Sequence, residues 1–290
     1  MLPNFLIIGS AKSGTTTLYS VLSQHPDIFL SPLKEPYFFS EFKPSGASVC
    51  SIDAYRSLFR GHTAQPLIGE ASAGYLYSRT APERIAQTLG NGVKLVAILR
   101  HPVDRAYSMY WHRRRDAEEP LSFPDAIRAE PGRIREGWQL GWHYIEMGHY
   151  RRQIENFLKF FDKARLKVLC FDDLVADPDR TFREVTDFLG VSPLEAVREE
   201  PNKNANYVIR HASVERLIRR STEILPGSLR RAIPSRLRTS IKHGLRKVNT
   251  SRAGYEPLEP GLRAELTEQF REDIEYLVAS YGPRFRPWLD

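Results

Sequence analysis

Phe5-Leu6-Ile7-Ile8-Gly9-Ser10-Ala11-Lys12-Ser13-Gly14-Thr15-Thr16-Thr17 decides how this chain folds. A short apolar run with no helical period meets a glycine, and the threonines after Gly14 open a helical pattern over 15–24. Strand, glycine-bounded turn and helix together make an anion site, because successive backbone N–H groups and the positive helix end converge there. Gly9 and Gly14 have the separation of a G-x-x-x-x-G nucleotide loop. The residue after the second glycine is Thr15, where an NTPase carries lysine, and Lys12 stands inside the turn instead.

Outward from this loop, further strands are expected over 93–99 and 166–171, with a weaker one over 67–69. Helical patterns cover 103–115 and 149–161, the latter with Ile154, Phe157, Leu158 and Phe161 on one face. Leu262, Leu266, Phe270, Ile274, Leu277 and Tyr281 predict one long helix near the C terminus, followed by an aromatic and proline-rich tail over 281–290. Strands alternating with helices predict an α/β fold with a parallel sheet and crossover helices.

The second informative position is Arg100, at the end of the strand over 93–99. In a P-loop NTPase the comparable strand ends in an aspartate that helps hold magnesium on the phosphates. Arginine cannot ligate magnesium but clamps a phosphate bidentately. Loop and arginine together predict a nucleotide anion bound without a metal.

Composition excludes several classes. Hydrophobic residues make up 41% and charged residues 27% of the 290, so a core is available and no disordered class fits. No apolar run reaches the length of a membrane span, and the opening segment lacks the basic flank and the core length of a signal peptide. Cys50 and Cys170 provide neither a disulfide framework nor metal-ligand spacing, and Cys170 reads as a buried thiol; a cytoplasmic location is expected. The net charge of +7 is uneven: residues 210–252 hold 12 Lys/Arg against 2 Asp/Glu, a local balance of +10 that leaves −3 for the rest. That is not the pattern of a uniformly basic nucleic-acid-binding domain, and no nucleic-acid partner is expected.

With the phosphate loop, Lys34-Glu35-Pro36-Tyr37-Phe38-Phe39 and Leu99-Arg100-His101-Pro102-Val103-Asp104-Arg105-Ala106-Tyr107-Ser108, the sequence resembles the sulfotransferases that use 3′-phosphoadenosine 5′-phosphosulfate (PAPS), in particular the heparan sulfate branch and its bacterial relatives. The likeness extends to Gly69-Glu70-Ala71-Ser72, Gly148-His149-Tyr150, Phe171-Asp172-Asp173-Leu174 with Asp177-Pro178, and Trp288. It implies a P-loop-like three-layer fold, a central parallel sheet flanked by helices, as a single sulfotransferase domain over 1–290. It further implies direct in-line transfer of a sulfuryl group to a hydroxyl or amine of a glycan, glycolipid or other small acceptor. PAPS is then the co-substrate, adenosine 3′,5′-bisphosphate the product, and no metal takes part.

By the same resemblance, the backbone of Ser13, Gly14, Thr15 and Thr16 and the hydroxyls of Thr16 and Thr17 bind the 5′-phosphate. Lys12 contacts the oxygen bridging phosphate and sulfate, where charge accumulates as the S–O bond breaks. Arg100 and Ser108 match the family's 3′-phosphate pair, and Arg252 matches a further loop contact. Glu35 is the expected general base, its alternative being an ion pair with Lys34 or a cap on the following helix. Glu70 is a second acidic candidate, read as orienting a loop or a neighbouring lysine. Where some heparan enzymes carry lysine after this glutamate, the chain has Ala71, so that extra cation is absent, which counts against a glycosaminoglycan acceptor while Lys12 keeps the basic mechanism. His25, His101 and His149 are read as structural.

Within the basic segment, Leu237, Ile241, Leu245 and Val248 recur at helical spacing. Residues 228–248 could recruit an anionic acceptor, lie on an anionic membrane at its inner face, or pack their apolar stripe on the domain. Two rival functions make different demands. A P-loop kinase needs magnesium ligands and a lysine after the second glycine. A non-enzymatic polyanion binder would act through 210–252 and ignore Lys12.

Overall fold

Strand β1 (Phe5–Gly9) is buried along its whole length, as an apolar strand must be when it lies in the middle of a sheet covered on both faces. The computed structural model describes residues 1–42, 49–194, 208–209, 250–251 and 256–290. β1 leads through the glycine turn into α1 (Thr15–Leu22), then β2 (Ile28–Leu30), α2 (Ile52–Ser57), β3 (Leu67–Ala71), α3 (Ala81–Leu89) and β4 (Lys94–Leu99). After β4 come α4 (Pro102–Arg115), α5 (Phe123–Arg135), α6 (Tyr150–Leu158), β5 (Leu166–Cys170), α7 (Phe171–Ala176) and α8 (Pro178–Leu189). The chain closes with α9 (Pro260–Gln269), α10 (Arg271–Tyr281) and a 3₁₀ turn over Pro283–Leu289.

The five strands form one parallel sheet in the order β2-β3-β1-β4-β5. Side chains alternate between its faces, as a period of two requires. Leu6, Ile8, Leu95, Ala97 and Leu99 face a core shared with Ile85 of α3, Val103 and Ala106 of α4, and Ile154 and Phe157 of α6. Phe5, Ile7, Val96 and Ile98 face the opposite core, made with Leu18 and Leu22 of α1 and Phe182, Val185 and Leu189 of α8. Helix, sheet and helix give the three-layer α/β architecture expected, with a phosphate loop on its central strand. Among the described residues no helix is long and apolar enough to cross a membrane.

Two features differ from expectation. β2 has three residues, too few for a periodic signal, and is held by pairing with Leu67, Ile68 and Gly69 of β3. The C-terminal helix is two helices, not one. Phe270, at the break, is wholly buried and packs so tightly on Gly148 that a Cβ there would lie 2.7 Å from its ring. Anchoring this side chain turns the axis and lets Leu266 and Leu277 both reach the core. The 3₁₀ turn is latched by the Trp288 indole, which donates to Asp172 Oδ2 at 2.6 Å, at the start of α7. His25, His101 and His149 are structural as expected: they bond the Ser192 carbonyl, the Val103 N–H and the Asp273 carboxylate. Cys170 is buried. The basic stripe over 228–248 lies outside the described residues, between the short antiparallel pair of Val208–Ile209 and Thr250–Ser251.

Gly69 marks where the sheet tolerates no side chain, since an added Cβ would meet the Phe5 ring at 2.3 Å. Gly69→Ala is expected to cost about 1–3 kcal/mol through overpacking, read as a lower urea midpoint at unchanged m-value. An unchanged midpoint would show that the central strands pack otherwise.

Candidate active site

β1 is flanked by β3 and β4, so the C-terminal ends of three adjacent strands open onto one place. That edge is where parallel α/β sheets bind ligands. The turn after β1 is pinned from below: Ser10 N–H donates to the Ile98 carbonyl at 2.8 Å, and the Ser10 and Ser13 hydroxyls share a 2.6 Å hydrogen bond. Gly14 has φ 90° and lies so close to α7 that a Cβ would sit 3.0 Å from Leu174 and 3.1 Å from Phe171. Glycine is required there by backbone conformation and by space.

The cleft above the turn encloses about 580 Å³. Lys12, Gly14, Thr15, Thr16, Thr17, Glu35, Arg100 and Ser108 all line it. Ser13 lies beneath, fully buried. Arg252 lies outside the described residues. Arg100 reaches back over the turn, its Nη1 3.5 Å from the Lys12 carbonyl and its guanidinium 5.0 Å above the Phe171 ring. Tyr150 donates to the Arg100 carbonyl at 2.8 Å, which fixes where β4 ends. Ser108 stands on α4 about two turns beyond its proline start, on the same side as Arg100.

Backbone conformation singles out the same residues. Four described non-glycine residues have positive φ: Lys12 (71°), Glu35 (60°), Tyr37 (50°) and Ala117 (55°). Three of the four line the cleft. Left-handed backbone at such residues costs on the order of 1–3 kcal/mol each and is retained mainly where side-chain placement matters. Glu35 is held by its own N–H to the Ala71 carbonyl at 2.8 Å, and its carboxylate meets Lys34 Nζ at 3.0 Å. The ion pair considered for Glu35 is therefore formed, inside the cleft that Lys34 also lines.

Electrostatics add residues that the sequence did not single out. Arg113 and Arg115, at the end of α4, face the cleft beside Lys12 and His112. Burial, with Arg115 and Arg100 next in weight, pulls the Lys12 ammonium down to about 8. Burial, Lys12 and Arg115 hold His112 down to about 4. The run Arg113-Arg114-Arg115 was the available signal, but only the helix phase shows that the first and third members face the loop. Arg105, from the same motif as Ser108, is wholly buried and donates to the Tyr144 carbonyl, which makes it a support of the wall.

Beneath Glu35 lies Glu70, fully buried and held by hydroxyls alone. Tyr55 donates to Oε1 at 3.2 Å, Ser72 donates to Oε2 at 2.9 Å, and Tyr75 bonds the same carboxyl. The Ser72 oxygen in turn accepts the Tyr37 N–H at 3.3 Å, tying Glu70 to the turn that presents Glu35. The expected loop-orienting role fits this geometry.

By class this is a phosphate-loop α/β protein whose loop faces clustered cations. The comparisons narrow this. The family model of the sulfotransferase domain matches residues 2–281, and the chain belongs to that family. It is 36% identical over 200 residues to human bifunctional heparan sulfate N-deacetylase/N-sulfotransferase 3, covering 66% of this chain and 23% of that protein. It is 30% identical over 192 residues to mouse heparan sulfate glucosamine 3-O-sulfotransferase 3B1, covering 66% of this chain and 46% of that one. The chain thus spans about a quarter to a half of the length of these relatives. Among solved structures, the sulfotransferase from Alicyclobacillus acidocaldarius superposes with a TM-score of 0.73 at 31% identity, covering 96% of this chain and 95% of that one. Mouse sulfotransferase SULT7A1, solved with PAP, shares the fold at a TM-score of 0.50 and 14% identity.

Glu70 yields a pH prediction. Burial raises its carboxyl from 4.5 to about 7. The native state then holds a proton that the unfolded chain releases, so this group's contribution to stability falls as pH rises from about 4.5 to 7. Glu70→Gln removes the effect, and its stability relative to wild type should climb across that window by up to ~3 kcal/mol. Urea unfolding at pH 5 and pH 8 measures it; a constant difference between the proteins would contradict the assignment.

Proposed function

We propose that this chain transfers a sulfuryl group from PAPS to a hydroxyl or amine of a glycan or other small acceptor. The observation that carries the proposal is the pairing of Lys12 and Glu35. Both are set in left-handed backbone and both line the cleft that Arg100 and Ser108 share. The relatives' names support both acceptor chemistries, one being an N-sulfotransferase and the other a 3-O-sulfotransferase. The match over residues 2–281 supports treating the sequence as one sulfotransferase domain.

The cleft fits an adenosine bisphosphate in its chemistry. Burial first, and then the positive charges of Arg115, Arg100 and Arg113, disfavour the protonated Lys12 ammonium, a cost that an entering anion would relieve. The open N–H groups at Gly14–Thr16 and the hydroxyls of Thr16 and Thr17 would hold the 5′-phosphate, and Arg100 with Ser108 the 3′-phosphate. PAPS supplies an activated sulfuryl group. The chain's own part is to place charge: the Lys12 ammonium stabilises the oxygen left behind, and Glu35 accepts the acceptor's proton at its carboxylate, oriented by Lys34. Among the described residues no group of acidic, histidine or cysteine side chains could hold a metal ion. The kinase reading lacks a feature to support it, as Arg100 ends the strand where a magnesium-binding carboxylate would stand.

Three measurements test the proposal. Adenosine 3′,5′-bisphosphate should bind in EDTA. Because an anion restores the proton that Lys12 loses near pH 8, binding should take up a proton above that pH and weaken by up to tenfold per pH unit; calorimetry in buffers of different ionisation heat reads both. Glu35→Gln should keep bisphosphate affinity and lower transfer of radiolabel from PAPS by about 10²–10⁴, with Lys12→Ala lowering it by about 10²–10³. Arg100→Ala should weaken bisphosphate binding while leaving adenosine 5′-phosphate binding unchanged. Magnesium-dependent ATP binding, with no label transferred to any glycan or lipid fraction, would replace this function with the kinase reading.

A further inference from the structure

Helix α4 brings more to the cleft than Ser108. Ser108, His112 and Arg115 are spaced four and three residues apart, which sets them in one stripe on one face of the helix. All three line the cleft. From Ser108 to Arg115 the stripe runs about 10 Å along the helix axis. It ends beside Lys12, on whose ammonium, after burial, the Arg115 charge weighs most.

The three consecutive arginines at this helix end go three ways. Arg113 donates to Glu118 at 2.6 Å and lies 4.5 Å from the centre of the Trp142 ring. Arg114 donates to the carbonyls of Glu119 and Pro120 at 3.1 and 3.3 Å. Arg115 turns back along its own helix: its Nη2 meets His112 Nδ1 at 2.6 Å, and its Nε is 3.5 Å from Asp116 Oδ1.

A guanidinium has no lone pair to offer, so His112 Nδ1 is the acceptor and the ring proton is on Nε2. Asp116 Oδ2 lies 3.9 Å from that nitrogen. Burial, then Lys12 and Arg115, hold the imidazole down to about 4, so it is uncharged at neutral pH. Such a ring has no lone pair left for a substrate's proton, and its part is to hold Arg115. Asp116 stands at the C-cap of α4, where the helix end disfavours a carboxylate. Its ion pair with Arg115 offsets that cost and gives the guanidinium a second support.

We propose that Arg115 is a specificity-determining residue of the transfer. Held by His112 and Asp116 beside Lys12, it pairs with the terminal oxygens of the sulfuryl group, the part of PAPS that the bisphosphate product lacks. The inference rests on the sulfotransferase reading and deepens it by assigning the contact that tells the co-substrate from its product. In the transfer, the oxygen or nitrogen of the acceptor bonds to sulfur with its lone pair. The S–O bond to the 5′-phosphate breaks, its electron pair stays on the phosphate oxygen beside Lys12, and the acceptor's proton passes to Glu35. The terminal oxygens remain on sulfur throughout. A planar fork of donors matches two of them and keeps sulfur in line between the attacking atom and the leaving oxygen. His112 is a positioning residue in this scheme.

The test titrates the full chain in EDTA, without acceptor, with PAPS and with adenosine 3′,5′-bisphosphate, and reads the ratio of the two affinities. Arg115→Ala should lower the preference for PAPS by about 10–100-fold, the range for one charge-assisted contact, and Arg115→Lys by less. Retained bisphosphate binding shows that each variant is folded. His112→Leu should lower the same ratio by about tenfold, whereas His112→Asn, whose amide oxygen stands where Nδ1 stood, should restore it to within about threefold of wild type. A wild-type ratio in Arg115→Ala would overturn the sulfuryl contact. A wild-type ratio in His112→Leu, or equal losses in the Leu and Asn variants, would overturn the positioning role. Wild type that binds neither nucleotide would remove the PAPS reading itself, a result distinct from the other two.

Discussion

Like charges crowd the mouth of the first loop, and the rest of the molecule serves to keep them there. Lys12 sits in a turn whose carbonyl faces Arg100, with Arg113 and Arg115 arriving from the far end of α4. In water such a cluster would disperse by side-chain motion. Here the members are anchored on three elements: the turn after β1, the end of β4 and the end of α4. Lys12 is set by the pinned turn, Arg100 by Tyr150 and the Phe171 face, and Arg113 by Glu118 and the Trp142 ring. Repulsion held in this way makes a strong anion trap, since the incoming charge relieves several interactions at once without reorganising the protein.

The acidic side of the cleft follows a different plan. Glu35 is exposed enough to meet an acceptor and is placed by backbone conformation, whereas Glu70 is fully enclosed and surrounded by hydroxyls. Among the described residues hydroxyls, not a cation, bond Glu70, and the uncharged Ala71 follows it. Burial outweighs the hydrogen bonds that Tyr75, Ser72 and Tyr55 give Glu70, while Lys34 faces Glu35 directly. Two carboxyls on segments that the Ser72–Tyr37 hydrogen bond ties together thus live in unlike surroundings, one open to the cleft and the other enclosed.

Much of this was legible in the amino-acid order. The phosphate loop and the strands over 93–99 and 166–171 are local signals: an apolar run, a glycine, a change of period. Lys12, Glu35, Arg100 and Ser108 stood out because motif spacing ties each to an element end, and the fold brings all four to one cleft. What could not be read depends on contacts between distant segments. β2 exists only through β3, the turn at Phe270 only through Gly148, and the hydroxyl cage of Glu70 joins residues from α2, β3 and the loop after it. Arg113 and Arg115 were visible as charge but not as neighbours of Lys12.

The latch formed by Trp288 reaches further than the end of the chain. Its indole meets Asp172, beside Phe171, the ring on which the Arg100 guanidinium lies; its ring centre is also 5.9 Å from that of His101, adjacent to Arg100. One residue therefore braces both sides of the strand-end arginine, almost the whole length of the polypeptide from the glycine turn. During synthesis the loop emerges first, and the brace on Asp172 and His101 is added only when residue 288 has been made. A nascent chain has the turn long before it has the residue that braces the walls facing it.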